Sequence, residues 1–128
     1  MRDGRTLPIL MLVYAGASLV HFAHNAEFLA DYPNMPAWLS RLDVYGAWLA
    51  ATAVGVLGYL LVLGGHHLSG LLVIAVYAVL GFDGLGHYAR APVAAHTATM
   101  NATIWIEVLA ATLLLIEVIR ISFRRHPS

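Results

Sequence analysis

The sequence predicts an all-α integral membrane protein, a four-transmembrane-helix bundle with up-down-up-down topology and both termini in the cytoplasm. Of its 128 residues, 60% are hydrophobic and only 11% are charged, and the mean hydropathy is +0.75. A soluble domain carries about 25% charged residues. Four windows reach the length of about 20 mostly apolar residues that a helix needs to cross a bilayer. These windows are roughly residues 7–30, 44–64, 69–90 and 98–121.

A soluble helical bundle is the alternative fold class. It would need polar stripes along most of its helices to stay in solution, and the four windows lack them. No internal repeat, low-complexity tract or shift in composition divides the chain. We therefore expect a single transmembrane domain over residues 1–128.

The first window follows MRDGR and ends in HFAHNAEF, after which the segment DYPNMPAWLSRLD carries Pro33 and Pro36. Prolines at these positions indicate a loop. A secretory signal peptide cleaved at Ala15–Ala17 is an alternative for this segment. Its apolar core would be short, and the segment continues as a good span, so we favour the span.

The second window, WLAATAVGVLGYLLVLG, offers only Thr52 and Tyr59 as polar groups. We interpret it as a supporting wall, in which Gly55 and Gly58 permit close packing. The glycines of LGGHHLSG separate it from the third window, and Pro92 in RAPVAAH separates the third from the fourth. Loops this short make neighbouring helices antiparallel.

The distribution of arginines predicts the orientation. Only Arg41 and Arg90 fall on one side of the predicted bundle. The side of both termini carries Arg2, Arg5, Arg120, Arg124 and Arg125. Because positive charges stay in the cytoplasm, we expect cytoplasmic termini and a multi-pass location in the inner (cytoplasmic) membrane of a bacterium. Trp38 and Tyr45 suit the opposite interface.

Charge and composition exclude several function classes. Seven basic and seven acidic residues give a net charge of zero, so no basic field is available to hold nucleic acid. The absence of cysteine excludes disulfides, thiolate metal sites and thiol catalysis. No lysine occurs, which excludes covalent catalysis by a lysine amine.

Ionisable residues fall at similar depths in three windows, although such groups are costly in hydrocarbon. At about 100° per residue, a sector of about 120° on the first helix contains Tyr14, Ser18, His21, His24 and Asn25. Asp83 and His87 are four residues apart on one face of the third helix. A sector of about 60° on the fourth helix contains His96, Met100, Thr103 and Glu107, provided that the helix includes position 96. The expected topology brings these stripes together in the outer half of the bundle.

Imidazole nitrogens and carboxylate oxygens are the donors that Zn²⁺ and transition metals use where thiolates are missing. The pattern therefore predicts a metal site. Its preferred ligands are His21, His24, Asp83 and His87, with His96 as a further ligand. Glu107 is a candidate acid or base. Candidates for the surrounding groups are Tyr14, Asn25 and Met100. The identity of the metal, and whether one or two ions bind, stay open.

Three other interpretations of the same residues stay open. In the first, they form an ion-free hydrogen-bond network between helices, although each such contact contributes only about 0.6 kcal/mol. In the second, His21 or His24 and His87 or His96 ligate the iron of haem b from opposite sides. In the third, the groups form part of a proton or ion pathway, which the nearly apolar inner halves disfavour.

The sequence favours a metal-binding role, as a carrier, sensor or accessory subunit. The alternative is an intramembrane metal-dependent hydrolase or oxidase that acts on an apolar or lipid substrate. The short loops leave little material for a lid, which favours binding over catalysis, but whether the protein is an enzyme stays open. Expected partners are the lipid bilayer and either further copies of the chain or a larger membrane complex. No nucleic acid partner is expected.

Overall fold

The computed structural model describes residues 3–125, and this range contains helices and loops but no strand. The α-helices are α1 (Asp3–Glu27), α2 (Arg41–Leu63), α3 (His67–Leu80), α4 (Gly86–Arg90) and α5 (Ala98–Arg125). Short 3-10 turns lie between them at Leu29–Asp31, Asp83–Leu85 and Val93–Ala95.

Four helical stretches of the described chain are long and apolar enough to cross a membrane, as the sequence predicts. They are Gly4–Glu27, Arg41–Leu63, His67–Arg90 and Ala98–Arg125. The protein is accordingly a multi-pass membrane protein. The predicted boundaries differ from these by a few residues, mainly because α1 ends at Glu27 rather than at residue 30.

Each of the four long helices packs against two others: α1 and α3 each contact both α2 and α5. The interior is apolar over most of its length. Its centre consists of Tyr14, Ile74, Tyr77, Ala78, Ala111 and Leu114. Large apolar side chains on the opposite helix faces are exposed, such as Leu12 at 74% and Leu49 at 62%. Exposed apolar faces of this extent are typical of surfaces that contact lipid or another protein, which agrees with the membrane assignment.

Close contact between α2 and α3 depends on glycines, as the sequence predicts for Gly55 and Gly58. A Cβ atom at Gly55 would lie 2.5 Å from the ring of Tyr77, and one at Gly58 would lie 2.7 Å from Ile74. From the other side, a Cβ at Gly70 would lie 2.8 Å from the carbonyl oxygen of Gly58. The absence of side chains at these three glycines lets the backbones of α2 and α3 approach each other.

Two loops, residues 28–40 and 91–97, lie at the same end of the bundle, which we call the two-loop end, and the first loop contacts the last residue of α4 there. Asn34 donates a hydrogen bond from its side chain to the carbonyl of Arg90 at 2.8 Å, and the Arg90 guanidinium donates back to the Asn34 carbonyl at 3.2 Å. The 28–40 loop ends in a capping box, in which Ser40 and Asp43 satisfy each other's backbone amides at the start of α2.

The third span corrects one prediction, because its helix is not continuous. Helix α3 ends at Leu80, and the backbone continues through bonds of the i to i+3 type, such as Leu85 N to Phe82 O at 3.0 Å. The sequence GFDGLG places three glycines in six residues, and each lowers helix stability by about 1 kcal/mol relative to alanine. Asp83 and His87 therefore do not lie on one continuous α-helix, since Asp83 lies in the 3-10 turn of the break and His87 lies in α4.

A second correction concerns His96. Helix α5 begins at Ala98, so His96 precedes it and lies at the end of the Val93–Ala95 turn with an extended backbone. Pro92 and the turn that follows it delay the start of the helix. The predicted 60° sector that places His96 with Glu107 on one helix face is therefore wrong. His96 is nevertheless buried.

Candidate functional site

Two of the predicted polar stripes are buried where α1 packs against α5. On α1 the buried members are Tyr14, Ser18, His21 and Asn25. On α5 they are Met100, Thr103 and Glu107. His24, which the sequence places on the same α1 stripe, is only half-buried. The helical periodicity thus brings most of the predicted polar groups into the interior near the two-loop end.

His21 and Glu107 form the central contact. The His21 Nδ1 lies 3.1 Å from Glu107 Oε2, and Glu107 has no exposed surface. The break after α3 makes room for the imidazole, because a Cβ atom at Gly84 would lie 2.9 Å from His21 Cε1. The missing side chain at Gly84 therefore leaves the space that the His21 ring occupies.

His87 in α4 contacts His21 and Asn25. The centroids of the two imidazoles are 5.5 Å apart and their planes are inclined by 76°. The Asn25 side-chain amide shares a hydrogen bond of 3.2 Å with His87 Nε2. These contacts tie α4 to α1 within the membrane-spanning region.

His96 completes a row of three imidazoles. Its ring centroid lies 6.1 Å from that of His87 and 5.2 Å from that of Tyr88. Its Nδ1 donates a hydrogen bond of 3.0 Å to the carbonyl oxygen of Pro92. The loop before α5 therefore holds His96 against α4, although the residue is not helical.

The same place collects most of the unsatisfied polar atoms. Within residues 3–125, six buried side-chain nitrogen or oxygen atoms have no hydrogen-bond partner, and five of them are here. The five are His21 Nε2, Asn25 Oδ1, His87 Nδ1, His96 Nε2 and Glu107 Oε1. Buried polar groups without partners are costly, so unsatisfied hydrogen-bonding capacity in the described chain is concentrated at this place.

Two predicted ligands lie apart from this row. His24 shares a hydrogen bond of 2.8 Å with the Tyr32 hydroxyl and stacks on Phe28 at 4.7 Å. Asp83 is exposed, and no hydrogen bond joins its carboxylate to the described part of the chain. The structure thus does not bring His24 or Asp83 into contact with all three imidazoles.

The three predicted surrounding groups occupy different positions. Asn25 contacts His87, as described above. Tyr14 packs against Tyr77, with ring centroids 4.6 Å apart, and lies further from the two-loop end. The sulfur of Met100 accepts a hydrogen bond of 3.4 Å from the backbone of Thr97. Of these three, only Asn25 touches a histidine of the row.

Two groups that contact the histidine row were not predicted from the sequence, the Tyr32 ring and the Pro92 carbonyl. Tyr32 is buried, and its ring centroid lies 4.9 Å from that of His87. The Pro92 carbonyl holds His96. Both belong to the loops, where neither periodicity nor spacing predicts contacts. An aromatic residue beside Pro33 was the available signal for Tyr32, but it is equally typical of an interfacial position.

A cavity of about 450 Å³ borders the imidazoles. It lies among α1, the start of α2 and the break, and its polar lining includes His21, Asn25, Asp83, His87 and Arg90. As the side chains stand, no three or more His, Asp or Glu residues in the described range are grouped so that they could hold a metal ion. The lining of this cavity includes two of the three imidazoles, those of His21 and His87.

Comparison with known proteins gives no assignment. No protein-family model matches the chain, and no curated protein or solved structure shows significant similarity to it. The class of protein is therefore defined by fold and site alone, as a four-span membrane protein with a buried row of histidines near one end.

Proposed function

We propose that the protein binds one zinc or divalent transition-metal ion among His21, His87 and His96. One observation carries the proposal, namely that each imidazole has one nitrogen held by another group and the second nitrogen buried without a partner. Metal-ligating histidines have this arrangement, because the second hydrogen bond fixes the tautomer and the direction of the ring. The supporting groups here are Glu107, Asn25 and the Pro92 carbonyl.

Ring separations support a shared ion. Two imidazoles that bind one Zn²⁺ through nitrogens at about 2.0–2.1 Å hold their centroids roughly 5 to 6 Å apart. The separation of His21 and His87, 5.5 Å, lies in this range, and that of His87 and His96, 6.1 Å, lies just above it. Because the rings do not point at one common position as they stand, binding requires them to rotate. Binding an ion would also satisfy three of the unpartnered nitrogens.

The proposed protonation states are consistent with this role. His21 would carry its proton on Nδ1 and donate it to the Glu107 carboxylate, leaving Nε2 free. In the structure Asn25 Nδ2 donates to His87 Nε2, and Asn25 Oδ1 has no partner. A half-turn of the Asn25 amide would present Oδ1 to His87, which could then carry its proton on Nε2, donate it to Oδ1 and leave Nδ1 free for the ion. The negative charge of Glu107 would offset half the charge of a divalent ion, which lowers the cost of placing the ion inside a membrane.

We further propose a carrier, sensor or accessory role in the inner membrane of a bacterium. The arginine distribution supports an up-down-up-down bundle with cytoplasmic termini, which would place the histidine row toward the extracytoplasmic side. The apolar helix faces would contact lipid, another copy of the chain or a larger membrane complex.

The cavity supports a second candidate function, an intramembrane metal-dependent enzyme. Three protein ligands leave a fourth position on a tetrahedral ion, which is typical of catalytic zinc. The cavity of about 450 Å³ touches His21 and His87, so a substrate could reach that position. In this alternative Asp83 or Glu107 would accept a proton and water or oxygen chemistry would act on an apolar substrate.

The ring contacts favour a single ion over haem. Axial histidines of a haem lie on opposite faces of a flat macrocycle. Here His21 meets His87, and His87 meets His96, in edge-to-face contact. A macrocycle would have to separate these pairs and displace Tyr32 from His87. An ion-free network is a weaker explanation as well, because it leaves five polar atoms unpaired.

Elemental analysis of the detergent-purified protein, after loading with Zn²⁺, Cu²⁺ or Fe²⁺ and removal of free metal, tests the proposal. We expect one ion per chain in the wild type and loss of that ion in His21→Ala, His87→Ala and His96→Ala. His24→Ala and His66→Ala are matched controls that should keep the ion, since His24 bonds Tyr32 and His66 is exposed. Metal-free wild type, or unchanged metal content in the three variants, would show that the row does not bind metal.

A further inference from the structure

A second cavity, of about 350 Å³, lies among α1, α2 and the end of α3. Alanines and aromatic rings form most of its lining, including Phe22, Trp48 and Tyr14. Asp83 is the one acidic or basic residue among the residues that line it. We call this space the aromatic cavity. It shares Phe22, Ala47 and Asp83 with the larger cavity beside the histidines.

Asp83 is unexplained by the proposed metal site. It lies within the third membrane-spanning stretch and is exposed, it lines both cavities, and its carboxylate has no hydrogen bond to the described residues. A carboxylate inside a membrane is stabilised by a cation or by other polar groups, and such residues commonly mark a ligand site. Residues of the break between α3 and α4 line these cavities, namely Asp83 in both and Gly84 in the larger one. Irregular backbone is tolerated at membrane depth where it lines a cavity.

The aromatic wall is held in place before any ligand arrives. Trp48 donates a hydrogen bond of 3.0 Å from Nε1 to Ser18 Oγ, and Ser18 in turn donates to the Ala15 carbonyl at 3.0 Å. The indole therefore has a fixed position in the cavity. Aromatic rings attract cations through their negative π faces, most strongly those of tryptophan.

We propose that the aromatic cavity binds a lipophilic organic cation, such as a protonated amine or quaternary ammonium with an apolar chain. Asp83 would be its counter-ion, Trp48 and Phe22 would contact its cationic group, and the alanine-lined wall would receive its chain. An inorganic cation fits poorly, because hard ions such as Ca²⁺ need six to eight oxygen ligands and this lining offers one carboxylate. The proposal does not depend on metal binding, since none of the three histidines lines this cavity.

The test uses the purified protein in nanodiscs of phosphatidylcholine, which has no net charge and does not itself attract the cation. Isothermal titration compares dimethyloctylammonium with methyl octyl ether, an uncharged molecule of similar shape. We expect the wild type to bind the ammonium at least about tenfold more tightly than the ether, because the ether cannot form a charge pair with Asp83. Asp83→Asn should remove that preference and leave ether binding unchanged.

Two further variants separate this explanation from others. Asp31→Asn removes an exposed carboxylate in the 28–40 loop and should leave the preference unchanged. Trp48→Leu should weaken ammonium binding about fivefold through loss of the ring face. Equal affinities of the wild type for ammonium and ether would overturn the proposal without the need for any variant. A preserved preference in Asp83→Asn would equally overturn it.

Discussion

His21 Nδ1 and Glu107 Oε2 lie 3.1 Å apart, and this contact joins α1 to α5 across 86 positions of the sequence. Glu107 has no exposed surface and His21 is 2% exposed. Water therefore cannot replace the bond if either partner is removed. The contact stabilises the bundle, and it also fixes the orientation of the His21 ring and hence the direction in which Nε2 points.

Glu107→Ala should lower the free energy of unfolding by about 2–4 kcal/mol, because it leaves His21 Nδ1 unpaired and opens a cavity in the interior. Glu107→Gln should cost less, since the amide oxygen can still accept from Nδ1. If His21 ligates a metal, Glu107→Ala should also weaken metal affinity by about 10–100-fold. Thermal unfolding in detergent and metal titration measure the two effects. Ile106→Ala, an exposed neighbour on α5, is the control, and an equal loss of stability there would contradict this account.

The break after α3 gives a second prediction. A methyl group at Gly84 would lie 2.9 Å from His21 Cε1, whereas one at Gly86 would meet no atom within 4 Å. Gly84→Ala should therefore displace the His21 ring and weaken Zn²⁺ binding, while Gly86→Ala should leave it unchanged. Both variants gain the helix propensity of alanine, so that effect cancels in the comparison. Competition titrations with a zinc chelator measure the difference, and equal affinities would mean that Gly84 does not position His21.

How far the sequence predicts this site differs from residue to residue. Apolar length identifies four spans, and helical periodicity places His21, Asn25 and Glu107 on buried faces, because both signals depend only on regular geometry. The pairing of His21 with Glu107 required knowledge of which helices pack together. Periodicity within one helix does not contain that information.

The errors lie where the backbone is irregular. The third span is predicted to be one continuous helix, but the glycine-rich segment GFDGLG places Asp83 in a 3-10 turn and His87 in α4, although both residues line the same cavity. Proline and the following turn place His96 outside α5, and its burial depends on loop packing against α4. Tyr32 reaches His87 from a loop. Contacts made by loops depend on tertiary structure and leave no periodic pattern in the sequence.

Close packing of α2 on α3 gives a third prediction. Gly70→Ala should destabilise the protein by about 1–3 kcal/mol, because the new Cβ would lie 2.8 Å from the backbone oxygen of Gly58 and the helices must move apart. Gly46→Ala is the matched control in α2, where a Cβ meets nothing within 4 Å, and it should be neutral or slightly stabilising. Chemical or thermal unfolding in the same detergent provides the comparison. A neutral Gly70→Ala would show that this interface tolerates wider spacing.

Tyr32 is the described group outside the spans whose environment predicts a pH dependence. Its side chain is 3% exposed, its hydroxyl shares a 2.8 Å hydrogen bond with His24 Nδ1, and its ring contacts His87. Burial raises the pKa of Tyr32 from 10.0 to about 12, although a hydrogen bond with Thr103 acts in the opposite direction. The folded protein therefore keeps the phenol proton at a pH where the unfolded chain has lost it.

The sign of the effect follows from proton linkage. Between pH 10 and about 12 the unfolded state binds fewer protons at Tyr32 than the folded state, so the stability that this group contributes is complete below pH 10 and declines as pH rises. Tyr32→Phe should remove this part of the decline, and it should also lower stability at neutral pH, because His24 Nδ1 loses its partner. Unfolding free energies of wild type and variant, measured at several pH values across this window, give the comparison. Tyr88→Phe is the control, at a half-buried tyrosine that donates a hydrogen bond to Asn101. Because it keeps Tyr32, this variant should still lose the stability that Tyr32 contributes as pH rises. An identical slope in wild type and Tyr32→Phe would mean that the phenol titrates alike in the folded and unfolded chains, and that the loop does not exclude water from it.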